Sequence, residues 1–465
     1  MKKTKIGFLP LYIKLYDDCG SGAIGRPRLE PFYERIAKEF EARGFEVVRE
    51  QFCRIKPEFA AAVAKFEQEE VDCIVTWHAA YSPSLECIDA LAGTKLPIII
   101  LDTTETYDFS PEQNPTEISF CHGIHGVMDM CSLLNQRGKA FAICAGHIDH
   151  SDVMDRVAGY AKAARAAAAL RGSRSGSIGG SFDGMGDFLI SDEELKARFD
   201  VDAVYPAKGE IEALRLAVTD EEIEAEIKEN NELFYEIEPV DIEIHKETAR
   251  NCIAIRRWIK NSNLDAFTVN FRMIGGESGI TAMPFIEACK AMARGTGYAG
   301  EGDILTASLV GALIKAFGSA TFAEIFCPDW KNDSLLISHM GEYNLALVKG
   351  KPGMKSIKFI YGEDAKDPVV AYGGYRAGKA VFINLFKAFD GYKLFISPIE
   401  MLDAPERAFE FKVRGWFKPV CPIPEFLEKL SHAGATHHSA IIYDATVEQM
   451  EFFASLCGLD TVVVK

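Results

Sequence analysis

The chain has 465 residues, 48% of them hydrophobic, enough to bury a large core divided over two or three domains. Its 68 acidic against 51 basic residues leave a net charge of −17, which argues against nucleic acid or anionic membrane as a partner, since both demand attraction to phosphate. No stretch reaches the about 18 consecutive apolar residues that suggest a transmembrane helix. The basic start, Met1 to Lys5, leads straight into a short apolar run broken by Pro10 and lacks the cleavage site of a signal peptide. Twelve cysteines lie scattered without C-x-x-C spacing, which suits a reducing cytoplasm better than a disulfide framework. The expected class is a cytoplasmic protein acting on something small.

Short runs rich in Ile, Val and Phe at residues 5–12, 45–52, 72–77, 97–102 and 139–144 alternate with amphipathic stretches at 29–43, 56–68 and 82–91. Strands separated by single helices imply parallel pairing in a doubly wound sheet. Residues 151–171 are Ala-rich and predict a long helix stopped at Gly172, and the Gly/Ser-rich segment 172–181 reads as a flexible passage into a second domain. Residues 192–260 carry Glu and Lys at helical spacing. A strand at 266–271 is followed by helices at 284–294 and 304–317. Beyond about residue 320 the texture turns to short β runs, at 334–338, 345–348, 356–361, 369–371 and 380–385, closed by a helix at 446–457 and a strand at 461–464. The domains expected are 1–172 (α/β), 173–318 (α/β) and 319–465 (β-rich).

Four segments of the last third carry chemistry: Gly-Tyr-Ala-Gly-Glu301-Gly-Asp303, Thr-Phe-Ala-Glu324, Leu-Ile-Ser-His339-Met340 and Gly-Ala-Thr-His437-His438. Two carboxylates with two imidazoles form a mixed donor set able to hold one divalent ion of the Mn, Fe, Co or Zn type with positions open for substrate. Each signal has a bland counterpart. An acid before a helix satisfies the helix dipole, with Asp303 placed as N-cap. His339 alone would be a core histidine. Glu324 is harder to dismiss, because a charge in an apolar run is costly unless paired or metal-bound. His437 and His438 are adjacent in a strand-like segment and are expected to point to opposite faces, so that one of them reaches a given ion.

Taken together, these segments resemble, in order and roughly in spacing, the metal-binding segments of bacterial L-arabinose isomerases, within the L-fucose/L-arabinose isomerase superfamily. The resemblance maps the metal ligands onto Glu301, Glu324, His339 and His438. Upstream, Phe267-Thr268-x-x-Phe271 looks like the strand before the first ligand segment, and His125-Gly126 with Gly146-His147 is similar to a segment carrying a sugar-contacting histidine. Phe182-Asp183 through Met185 looks like the entry to the central domain, and His78-x-x-x-Ser82-Pro83 like a substrate-side loop. The departures lie elsewhere. The family's Gln-His-Leu-Tyr-Gly loop is replaced by Leu11-Tyr12-Ile-Lys14-Leu15-Tyr16-Asp17-Asp18, and a few extra residues, Gly275-Gly-Glu-Ser-Gly, precede Glu301.

The resemblance implies an N-terminal and a central doubly wound α/β domain followed by a β-barrel-like C-terminal domain, assembled as a homotrimer or homohexamer. It also implies an aldose–ketose sugar isomerase, an intramolecular oxidoreductase working through a cis-enediol with Mn2+, or another divalent ion such as Co2+ or Mg2+. Glu301 and Glu324 would divide ligand and proton-carrier duties, with His125 as a further catalytic candidate and Tyr12, Lys14, His78, Met185 and Phe271 on the substrate. His122 and Glu342 are lesser candidates. The alternatives are a metal-dependent epimerase or an isomerase of a modified sugar, which the altered first loop keeps open, and a non-catalytic sugar-binding protein, which has no use for the four ligands together.

Overall fold

The structure, a computed structural model, describes residues 3–20, 22–362, 364–405 and 413–465. The chain forms two compact units, residues 1–165 and 166–465. In the first, β1 (Lys5–Leu11), β2 (Glu46–Arg49), β3 (Cys73–His78), β4 (Ile98–Asp102) and β5 (Phe141–Ala145) build one parallel sheet in the order β2-β1-β3-β4-β5. Helices such as Lys56–Gln68, Ser84–Gly93 and Ile124–Gln136 link the strands. The near-continuous apolar runs of β3 and β4 are buried, as parallel strands covered by helices require. This is the doubly wound domain expected from the alternating pattern.

The second unit begins with β6 (Arg174–Ile178), β7 (Asp202–Val204), β8 (Tyr235–Glu236), β9 (Ala266–Val269) and β10 (Gly297–Gly300). Strands β10-β9-β6-β7 form a second parallel sheet. The Gly/Ser-rich segment expected to be flexible is therefore, at Arg174–Ile178, a strand inside this sheet, and four of its five residues are buried. Its small residues answer to packing. On one face Ser175 and Ser308 of the helix Ile304–Phe317 share a hydrogen bond of 2.6 Å between hydroxyls. On the other, a Cβ on Gly176 would lie 2.4 Å from the Trp258 ring and 2.5 Å from Leu264. Gly176→Ala is expected to destabilise the protein by about 1–3 kcal/mol, as overpacking does, and urea unfolding monitored by Trp fluorescence checks it.

The remaining strands are β11 (Ala320–Asp329), β12 (Ser334–His339), β13 (Gly353–Ser356), β14 (Val369–Tyr372), β15 (Gly378–Ala388), β16 (Gly391–Met401), β17 (Val413–Pro419), β18 (His438–Tyr443) and β19 (Asp460–Val463). Six of them close an antiparallel barrel, β15-β18-β11-β12-β17-β16, through the β15–β16 pairing, and β19 joins β16 in parallel. Phe382, Phe395, Phe417 and Phe426 pack mutually within its core. Closure leaves few free edges, which lets strands as long as β15 and β16 stand without exposed ladders.

Two expected strands are absent. Leu345–Leu347 is a 3-10 turn, because the Asn344 side chain accepts from the Ala346 N–H and bends the chain. The run at 356–361 ends its pairing at Ser356, after which the Phe359 N–H turns to the Asp367 carboxylate. No helix among the described residues is long and apolar enough to cross a membrane.

Candidate active site

Glu301 follows β10 in an uncommon backbone state. Its φ is +64°, in the left-handed region that a residue with a Cβ seldom enters. Surrounding groups hold it there. The Phe182 N–H donates to the Glu301 carbonyl (2.9 Å), and the Gly302 N–H donates to the Thr268 hydroxyl (2.9 Å). A Cβ on Gly302 would lie 2.2 Å from the Gly180 carbonyl oxygen, so the turn tolerates only glycine there. Strain kept by so many contacts is typical of a working site. Two residues on, Asp303 caps the helix Ile304–Phe317 by accepting from the Thr306 N–H (2.9 Å).

The barrel supplies the other groups. On β11, Glu324 lies opposite His438 of β18 and Ser338 of β12, one residue before His339. His339 Nε2 stands 3.5 Å from Glu324 Oε2, and His438 Nε2 stands 3.4 Å from Glu301 Oε2. Phe322 packs edge-on against both imidazoles, at 4.9 and 5.1 Å between ring centres, and Phe188 stacks flat on His438 at 4.8 Å. Glu301, Glu324 and His339 open on one cavity of about 310 Å3. The four expected ligands thus form two carboxylate–imidazole pairs.

Each imidazole is anchored on its far side. His438 Nδ1 hydrogen-bonds the buried Asp303 carboxylate (3.0 Å), and His339 Nδ1 hydrogen-bonds the buried Glu342, which also accepts from the Tyr298 hydroxyl (2.9 Å). A carboxylate on Nδ1 keeps the proton there and turns the Nε2 lone pair toward the site, the arrangement common around metal-binding histidines. His438 Nε2 is fully buried and has no hydrogen-bond partner. A buried nitrogen that faces the Glu301 carboxylate at 3.4 Å without a well-formed hydrogen bond is poorly satisfied, and a cation held by both would satisfy it. Glu301 and His438 offer a donor pair that fits a divalent ion.

The histidine pair departs from the expected two-faced arrangement. β18 starts only at His438, so His437 belongs to the preceding turn and is free of the strand alternation. Its Nε2 lies 3.5 Å from Glu301 Oε2, and Asp187 accepts from its Nδ1 (2.6 Å) and from its backbone N–H (2.9 Å). Glu301, His437 and His438 bring ligand atoms within 4.8 Å of one another.

Charges follow from these contacts. Burial pushes the Glu301 carboxyl up, but the imidazoles of His437 and His438 outweigh it and carry the pKa down to about 2. Burial dominates at Glu324 and holds its carboxyl above the usual range, against the pull of His339 and His438. Burial lowers His438, yet Asp303 and Glu301 together push it up to about 10. His339 is likewise raised, by Glu342 and Glu324 against burial. Without a metal ion the histidines serve as the cations that balance these carboxylates.

The other expected site residues fall in two groups. Phe271 lines the cavity, and half-buried Met185 lies in the segment after β6 that also carries Phe182, Asp187 and Phe188. Tyr12, Lys14, His78, His122 and His125 belong to the first unit. There Tyr12 is buried with Tyr16 edge-on at 5.9 Å, the Tyr16 hydroxyl meets His122 Nε2 at 2.7 Å, and Lys14 pairs with Asp18 at 2.9 Å. His78 is buried with both ring nitrogens unpartnered, and burial takes its pKa down to about 3. His125 is exposed on the first turn of the helix Ile124–Gln136. Sequence reasoning missed Asp187, and it took Asp303 only as a helix cap.

Residues 192–319 match the family model of the L-arabinose isomerase central domain, and residues 319–460 that of the L-arabinose isomerase C-terminal domain. The chain is 24% identical over 404 residues to the L-arabinose isomerase of Shouchella clausii, covering 84% of this chain and 81% of the relative. It is also 24% identical to those of Aeromonas salmonicida (87% and 83% covered) and Geobacillus kaustophilus (85% and 81%).

Proposed function

The chain belongs to the L-arabinose isomerase-like family, and on that premise we propose that it interconverts an aldose and its ketose with a divalent metal ion held by Glu301, Glu324, His339 and His438. The observation that carries this reading is the pair of buried imidazoles, each fixed at Nδ1 by a carboxylate and each presenting Nε2 to one of two glutamates. When bound, such an ion acts as a Lewis acid toward the charge that develops on the C1 and C2 oxygens of an open-chain sugar. Mn2+ is the ion proposed, with Co2+ or Mg2+ as substitutes, because carboxylate and imidazole donors suit these ions.

The chain's own residues do the rest. One of the two glutamates takes the C2 proton and returns it to C1 on the same face of a planar cis-enediol, while the proton of the C2 hydroxyl passes to the C1 oxygen. The other stays a ligand. Asp303 and Glu342 keep the imidazoles in the tautomer that leaves Nε2 free. The apolar surroundings, Phe188 and Phe322 among them, exclude water and strengthen every electrostatic contact within. We place the enzyme in the cytoplasm as a homo-oligomer; its twelve cysteines, scattered without C-x-x-C spacing, accord with a reducing compartment.

The test is a screen of aldoses in deuterated water with added Mn2+, with NMR detection of the ketose. Ketose bearing deuterium at C1 is expected, absent after chelation and in Glu324→Gln. A metal-loaded protein that forms ketose from no aldose would contradict the assignment.

A further inference from the structure

We infer that His437 is a third imidazole ligand of the metal ion, joining Glu301 and His438 through its Nε2; this rests on the metal-dependent isomerase reading above. Three imidazoles around the site share one construction. His438 is held at Nδ1 by Asp303 (3.0 Å), and its Nε2 stands 3.4 Å from Glu301. His339 is held at Nδ1 by Glu342, and its Nε2 stands 3.5 Å from Glu324. His437 is held at Nδ1 by Asp187 (2.6 Å), and its Nε2 stands 3.5 Å from Glu301. A carboxylate behind the ring and a bare Nε2 in front are the marks of a metal-binding histidine. What holds for the first two holds for the third.

The local backbone brings the neighbouring rings together. His437 precedes β18, so strand alternation does not turn it away from His438. Asp187 accepts from its backbone N–H (2.9 Å) as well as from its ring, which fixes main chain and side chain at once. Phe188, the next residue, stacks on His438 at 4.8 Å and tilts against His437 at 5.6 Å. Both Nε2 atoms therefore meet the same oxygen, Glu301 Oε2. Glu301, His437 and His438 offer ligand atoms within 4.8 Å of one another, and they are the only such group among the described residues. Bonds of about 2.1 Å place opposite ligands on an ion about 4.2 Å apart, so the three atoms already stand near the spread that a shared ion requires.

A third imidazole also suits the reaction. When one glutamate leaves the ion to carry the proton, His437, His438, His339 and the other glutamate remain. An octahedral ion then keeps two positions for the substrate. The His437 side chain is 34% exposed and that of His438 is fully buried, so His437 borders the open side of the group.

The competing role for His437 is that of a plain counter-cation to Glu301, and it predicts the opposite sign. A cation that only pairs with Glu301 competes with the metal, so its removal would leave Mn2+ binding unchanged or tighter. A ligand lost weakens it. Calorimetric titration of the chelator-treated protein with Mn2+ is run on wild type and His437→Gln, with a melting curve to check folding. The variant should bind roughly 100-fold more weakly, beyond the 10- to 100-fold typical of losing an outer partner. Pulsed EPR of the Mn2+ complex made with 15N-labelled histidine should count three bound imidazoles in wild type and two in the variant.

Unchanged or tighter binding in His437→Gln overturns the inference, and so does weaker binding with the same nitrogen count in both proteins. If the variant does not fold, the wild-type count decides alone: three imidazoles support the ligand and two overturn it. Three imidazoles on the ion with no ketose formed from any aldose would retain His437 as a ligand and reject the isomerase reading. A wild-type protein that binds no Mn2+ would reject both.

Discussion

Glu324→Gln is expected to lower kcat by on the order of 10²–10⁴-fold, the usual worth of a positioned proton carrier, while thermal unfolding stays close to wild type. The substitution keeps shape and hydrogen-bonding capacity but removes the negative charge. Glu324 sits on β11 between β12 and β18, and its ladder bonds are made by the backbone, so the barrel does not depend on the side chain. Burial already holds this carboxyl above its ordinary pKa, which means that its charged form is kept at a cost. Neutralising it therefore does not weaken the fold. Glu301→Gln is expected to lose turnover to a similar degree but to behave differently before substrate is added. Its carboxylate balances both His437 and His438, and its loss leaves two imidazoles facing each other across 4.3 Å between ring centres. Steady-state kinetics together with melting curves with and without Mn2+ separate the two variants. Normal turnover in either would show that the carboxylate takes no part in the chemistry.

Asp303→Asn is expected to weaken Mn2+ binding by about 10–100-fold without loosening the helix that Asp303 starts. One carboxylate oxygen caps that helix at Thr306 while the other accepts from His438 Nδ1. Asn caps helices as well as Asp does, so the first duty survives. The second is reversed if the amide nitrogen faces His438, because Nδ1 must then accept and the ring proton moves to Nε2, the position needed for the ion. Asp303→Ala loses both duties and should also cost about 0.5–2 kcal/mol of stability through the cap. Isothermal titration with Mn2+ and chemical unfolding of both variants distinguish the two contributions. Equal Mn2+ affinity in Asp303→Asn and wild type would mean that His438 is not a ligand.

What could be read from the sequence was the part that local physics decides. The helix Lys56–Gln68 and strands β1, β3 and β4 follow from hydrophobic spacing, and Asp303 announces a helix start by type and position. The acid in an apolar run pointed to Glu324, because burial of a lone charge demands a reason. Local signals failed where distant partners decide. The Gly and Ser content of β6 imitates a linker, yet it records helices pressed on both faces, visible only once Trp258 and Ser308 are in place. The alternation assumed for His437 and His438 needs a strand under both, and β18 begins one residue too late. Asp187 had no signal at all, since the histidine it orients lies 250 residues away. Phe359 and Tyr361 look like strand residues by composition, but they turn to the cavity after β13 ends.

The most direct measurement is a calorimetric titration of the purified, chelator-treated protein with Mn2+, run beside His438→Ala. If the carboxylate–imidazole pairs form a metal centre, wild type binds one ion per chain, and His438→Ala, still folded by its melting curve, loses that binding. A wild-type protein that takes up no ion, or a His438→Ala variant that binds it equally well, would contradict the centre described here.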